Sequence, residues 1–178
     1  MGSRVKIITR TAILLALAVV FQMMGQFWGP NNNFIVGPLV NTILIVSTAV
    51  TGLWGGTAIA VIAPFISAFT NKAPIAPIIL FFSPFIAGGN FILVLCYHLI
   101  AKRNKIAGIA VGAVLKFVFL YTSVVIFISM FSEVLNISPT VAAMLNFLFS
   151  WPQLVTGLAG GIIALAVIKV FERNVDNI

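Results

Sequence analysis

"VNTILIVSTAVTGLWGGTAIAVIAPFISAF", residues 40–69, runs for thirty residues without a charged side chain. A helix crossing a hydrocarbon layer of about 30 Å needs roughly 17–25 residues. The run therefore has to be divided, and "GLWGG" is where it divides, because glycine is the residue that most readily leaves helical geometry. The division gives a second apolar segment from about Phe34 to Thr51 and a third from about Thr57 to Thr70, which carries Pro64. The third is short. It spans only where the bilayer thins locally or neighbours cover its ends.

The rest of the chain divides in the same way. Segment one runs from about Ile7 to Trp28 and stops at "GPNNN". Segment four, about Ile78 to Ala101, follows "NKAPIAP" and stops at "KRNK". Segment five, about Ile106 to Phe131, stops at "SEVLNISP", and segment six runs from about Thr140 to Phe171. The expectation is an all-α membrane protein of six transmembrane helices. Residues 1–178 are expected to form a single six-helix transmembrane domain with no separate soluble one. Composition agrees: 61% of the 178 residues are hydrophobic and 7% are charged. Soluble domains carry about 25% charged residues. No alternation of about ten residues recurs, which argues against a barrel. The first segment lacks a small-residue cleavage site and reads as a retained span.

The net charge of +7 reads as topology, with no nucleic-acid partner implied. Arg4, Lys6 and Arg10 precede segment one, Lys102, Arg103 and Lys105 separate segments four and five, and Lys169 and Arg173 end segment six. Six spans place all eight on one side, which the positive-inside rule makes cytoplasmic together with both termini. Lys72 falls on the opposite side.

Catalytic chemistry has little to work with. The acids are Glu133, Glu172 and Asp176, the single histidine is His98 and the single cysteine is Cys96. There is no paired carboxylate, no HExxH, no Cys/His cluster and no GxxxxGK[ST] loop. The chain reads as a non-enzyme with no metal and no cofactor, and His98 as an interfacial side chain.

Lys116 stands out within "GAVLKFVFLYTSVV", residues 112–125. A lysine at the centre of a membrane helix costs at least about 2.5–3.5 kcal/mol, and such residues commonly mark a ligand or ion path. Either it serves as a donor to a polar or anionic ligand, or its stem snorkels to the headgroups. Leu120 shares its helix face, whereas Tyr121 need not. Uncharged polar residues also lie within spans: Gln22, Gln26, Asn41, Asn90, Asn146 and Gln153. Each is either interhelical glue or part of a pocket. Asn146, Trp151 and Gln153 surround Pro152, expected to bend segment six. "GPNNNF", with Asn32 at its centre, is either a polar turn or a cap over a ligand. Gly108/Gly112 and Gly157/Gly161 have the spacing that lets helices pack closely, and Ala12/Ala16 form either such a pair or a smooth outer stripe for another membrane protein.

The layout resembles the substrate-binding S component of energy-coupling factor (ECF) vitamin transporters. The basic start running into "RTAILLALAVVFQ", with Ala12 and Ala16, looks like that family's first helix. Residues 40–69 look like its second and third helices. "GAVLKFVFLYTSVV" and "FSWPQLVTGLAGGIIAL" are similar to the fifth and sixth helices of a clostridial or lactic-acid-bacterial subgroup. The resemblance implies a multi-pass subunit of the bacterial plasma membrane that captures a vitamin or precursor from outside and tips over in the lipid bilayer to deliver it. It implies a transmembrane coupling subunit and two ATPase subunits as partners. Ala12 and Ala16 map to the docking face, and Asn90, Lys116, Tyr121, Asn146, Trp151 and Gln153 to the pocket, capped by outer loops such as the one holding Asn32. A B6-type pyridine, niacin or a benzimidazole-containing cobalamin precursor suits a lysine, amides and aromatic rings. The alternatives are an autonomous small carrier or channel, in which Lys116 is a relay, and a membrane scaffold without a ligand.

Overall fold

A computed structural model describes residues 3–27, 32–70 and 75–175. All described elements are helical: α1 (Ser3–Met24), followed by a 3₁₀ turn (Gly25–Phe27), α2 (Asn32–Thr70), α3 (Ala76–Ile100), α4 (Lys105–Phe131), α5 (Pro139–Leu148) and α6 (Trp151–Val175). No strand occurs among the described residues. Five helical stretches are long and apolar enough to cross a membrane, with α5 and α6 counted together. The turns expected at 28–31 and 71–74, with Lys72, and the tail residue Asp176 lie outside the described residues.

Two expectations change. Segments two and three are not separate elements; they are the two arms of the 39-residue α2, joined at Gly52, whose φ of 77° and ψ of −174° are not helical. The arms fold back on each other. Asn41 and Ser67 line one cavity, although 26 residues of straight helix would hold them about 39 Å apart. A Cβ on Gly56 would collide with Thr48 Oγ1, eight residues earlier. Gly52 alone permits the reversal, because its backbone angles fall in a region reserved almost entirely for glycine.

Segment six, in turn, is two elements. Phe149 and Ser150 interrupt it, and Pro152 sits in the first turn of α6, not inside a continuous helix. A proline at that position removes no helical hydrogen bond, since the first amides of a helix have no partner anyway. The bend thus arises between two helices. Ser138 caps α5 by accepting from the Val141 amide, and Asn104 caps α4 by accepting from that of Ala107.

The helices pack around α2, with α1 against its two arms, α3 and α6 beside it, and α4 bridging α3 and α6. The glycine pairs in α4 and α6 lie in these contacts: Gly112 faces Leu93, Gly157 faces Ala113 and Gly161 faces Ile109. A core of Leu44, Ile45, Ile59, Leu93, Val94 and Ile109 fills one end of the bundle. Phe82, Leu120, Val124, Phe127, Leu145 and Phe149 fill the other. Lys105 donates to Glu172 at the first end, which joins the start of α4 to the end of α6. On the periphery, α1 leaves Ile8, Ile13, Val20 and Met23 exposed.

Candidate functional site

Toward the opposite end, between the two hydrophobic clusters, lies a cavity of about 120 Å³. Its walls come from five helices: Gln22 of α1, Asn33 and Asn41 of the first α2 arm, Pro64 and Ser67 of the second, Asn90 of α3, Lys116 of α4 and Gln153 of α6. Val40, Ile79 and Ile86 supply apolar wall.

Lys116 is placed there by the pattern of α4. Ile109, Gly112, Ala113, Lys116, Leu120, Ser123, Val124 and Phe127 recur at helical spacing and form the buried stripe. The lysine occupies the middle of that stripe and is 3% exposed. Its Nζ donates to Asn41 Oδ1 at 2.6 Å and to Asn90 Oδ1 at 2.7 Å. Close helix approach brings both amides within reach. Gly160 of α6 packs directly on the backbone at Pro38 and on Asn41, and Thr42 Oγ1 donates to Gly160 O at 2.9 Å. On α3, Gly89 lies against Leu120, which sets the neighbouring Asn90 opposite Lys116.

An ammonium group has three N–H donors. Two are engaged here, and the group lines the cavity. Among the described residues no acidic side chain does: Glu172 pairs with Lys105 and Glu133 is exposed in the α4–α5 connection. Hydrogen bonds to charged groups contribute roughly 1.5–3 kcal/mol each, enough to hold the amine in place but not to neutralise it. Two further amide atoms on cavity residues, Gln22 Oε1 and Asn33 Nδ2, are buried without a hydrogen-bond partner among the described residues. Gln153 Nε2 donates to Leu148 O at 2.9 Å.

Of the residues expected at the pocket, Asn90, Lys116 and Gln153 come together in this cavity. The others are elsewhere. Tyr121 is 46% exposed and stacks on Phe117, because position 121 points away from the stripe containing 116 and 120. Trp151 is 52% exposed and packs on Phe34 and Phe147. Asn146 and Asn32 are partly buried and outside the cavity wall, and Asn32 Oδ1 faces Gly25. Ala12 and Ala16 are both exposed on the outer face of α1. The sequence reading did not assign Gln22, Asn33, Asn41 or Ser67 to the site. Gln22 and Asn41 are visible as polar residues in apolar runs, and Asn33 stands in "GPNNNF", which reads as a polar turn or a cap; Ser67 carries no comparable signal. Among the described residues, no group of three His, Cys, Asp or Glu side chains is placed to hold a metal.

Residues 6–171 match the family model described as ECF transporter, substrate-specific component. The chain belongs to this family. No curated protein matches it, and no solved structure does. An ECF substrate-specific component is the ligand-binding membrane subunit of a transporter and not an enzyme. As such it takes a small ligand and works with a membrane coupling subunit and ATPases. A cavity lined by a lysine and several amides in an otherwise apolar bundle is in keeping with that role.

Proposed function

We propose that this ECF component captures a single-ring vitamin or vitamin precursor bearing one acidic group, with the acid on Lys116. The reading is carried by one observation: a buried amine held by two amide oxygens, on a cavity that no carboxylate lines among the described residues. A buried positive charge without a counter-charge is costly, and an anionic ligand removes that cost by supplying it. Drug-sized pockets are roughly 300–1,000 Å³. A cavity of about 120 Å³ favours one ring, such as niacin or a B6-type pyridine, over a cobalamin precursor.

The remaining topology follows from the reversal at Gly52. Counting each α2 arm as a crossing gives six spans, with both termini and eight of the ten basic residues on the cytoplasmic side of the cell membrane. The cavity then opens toward the outside. Ala12 and Ala16 on the uncovered face of α1 meet the coupling subunit, and two ATPases drive delivery as the subunit tips in the bilayer. The absence of an ATP-binding loop from the sequence supports borrowed energy.

Native mass spectrometry of the gently purified protein tests the ligand. A co-purifying one-ring acid is the expected result, and a retained cation or large corrinoid would exclude the reading.

A further inference from the structure

We propose that Gln22 and Asn33 form a second recognition pair, which reads an uncharged hydrogen-bonding edge of the ligand ring while Lys116 holds its acidic group. The inference rests on the reading of the cavity as the ligand site.

Among the described residues, the amide side chains of Gln22, Asn33, Asn41, Asn90 and Gln153 line the cavity. Three are already engaged. Asn41 and Asn90 accept from Lys116, and Gln153 donates to the Leu148 carbonyl. The other two each leave a buried atom without a partner among the described residues, an acceptor at Gln22 Oε1 and a donor at Asn33 Nδ2. Buried polar atoms are nearly always paired, and a specific exception calls for a reason. Of the four such atoms among the described residues, Thr11 Oγ1 and Asn32 Oδ1 lie off the cavity wall, whereas Gln22 Oε1 and Asn33 Nδ2 belong to residues of one small cavity and together offer one acceptor and one donor. A ring nitrogen or carbonyl accepts from Asn33 Nδ2, and a ring hydroxyl or N–H donates to Gln22 Oε1. A hydrocarbon ring of equal size would leave both unpaired after displacing water, which makes it a poor ligand. Sites built to hydrogen-bond a substrate discriminate strongly against analogues that lack the group.

The pair also has a structural consequence. Among the described residues, Gln22 is the only one from α1 on the cavity wall, and Asn33 lies in the first turn of α2. A ring engaging both joins the end of α1 to the start of α2.

The test uses the purified full chain in detergent, titrated with pyridine-3-carboxylate, benzoate and 3-hydroxybenzoate. The first two share shape and charge and differ at one ring atom; the third adds one hydroxyl to benzoate. Wild-type protein should prefer both the pyridine acid and 3-hydroxybenzoate to benzoate, the pyridine acid by about tenfold or more. Asn33→Leu, which removes the donor that a ring nitrogen accepts from, should bring the pyridine preference below about threefold. Gln22→Met should leave it standing and should instead abolish the preference for 3-hydroxybenzoate over benzoate, because that hydroxyl donates to Gln22 Oε1. Because Gln22→Met removes an unpaired buried group, the ligand-free variant should melt no lower than wild type. A clear drop in its Tm would make Gln22 a structural residue and overturn the proposal. So would a pyridine preference that survives in Asn33→Leu, a hydroxyl preference that survives in Gln22→Met, or a wild type that binds all three acids equally; each of these results leaves the acid-on-Lys116 reading intact. A wild type that binds none of the three acids removes that reading and this inference with it.

Discussion

Lys116 and Asn90 meet across the α3–α4 interface, with the lysine Nζ donating to the asparagine Oδ1 over 2.7 Å. Asn41 completes the arrangement from α2 at 2.6 Å. Three helices thus converge on one amine in the bundle interior, where water is scarce. Such an amine is oriented before any ligand arrives, so little ordering remains to be done on binding.

Replacing Lys116 with methionine keeps the length of the side chain and removes its donors. A hydrogen bond to a charged group contributes roughly 1.5–3 kcal/mol, so affinity for a one-ring acid should fall by about tenfold to a hundredfold. Calorimetric titration of the purified variant measures this. Unchanged affinity would remove Lys116 from the site.

The amides that hold Lys116 are expected to matter for stability in a non-additive way. Asn41→Leu or Asn90→Leu takes away one acceptor and leaves the amine less well paired, with an expected loss of about 1–3 kcal/mol in each case. Adding Lys116→Met to either variant removes the group that had lost its partner. The double variants should then recover much of the lost Tm, because coupling of this kind appears between residues in direct contact. Thermal unfolding in detergent gives the comparison. Strictly additive losses would mean that the hydrogen bonds contribute little.

Composition and apolar length were enough to read a helical membrane bundle, since they depend on no contact. Gly52 was legible as a break for the same local reason. The division of segment six was not. Proline is equally compatible with a kink and with a helix start, and only the irregular Phe149–Ser150 step decides between them. In the site, Lys116 and Asn90 could be read because a charge or an amide in an apolar run needs a partner. Tyr121 and Trp151 misled because aromatic chemistry suits a pocket, whereas helix phase turns both side chains outward. Asn33 was hidden within a run of three asparagines at 31–33, where a polar turn is the ordinary explanation. Its place on the cavity wall comes from the tertiary approach of α1, α2 and α6.

Gly52→Ala tests the reversal of α2. A φ of 77° combined with a ψ of −174° costs a residue with a Cβ roughly 1–3 kcal/mol. No neighbouring atom lies within 4 Å of the position a Cβ would take, so backbone strain is the sole expected source of damage. The variant should melt several degrees lower, and its ligand affinity should change little while it remains folded, since Gly52 is not on the cavity wall. A Tm equal to that of wild type would show that the turn relaxes without glycine.

The outer face of α1 separates transport from binding. Ala12 and Ala16 are exposed one helical turn apart, on a helix whose contacts are almost entirely with α2. Small side chains at this spacing let another helix approach closely. Within the isolated subunit, phenylalanine at either position meets no neighbour, so folding and ligand affinity should match wild type. In the assembled transporter the same ring would hold the coupling subunit away from α1. Uptake of labelled ligand by proteoliposomes containing the coupling and ATPase subunits should therefore fall by about tenfold or more, the loss expected when a close helix contact worth roughly 1.4 kcal/mol or more is prevented. Full uptake by Ala12→Phe and Ala16→Phe would move the docking face to another helix. Loss of binding together with uptake would mean that the substitutions disturb the cavity through Gln22 on the same helix.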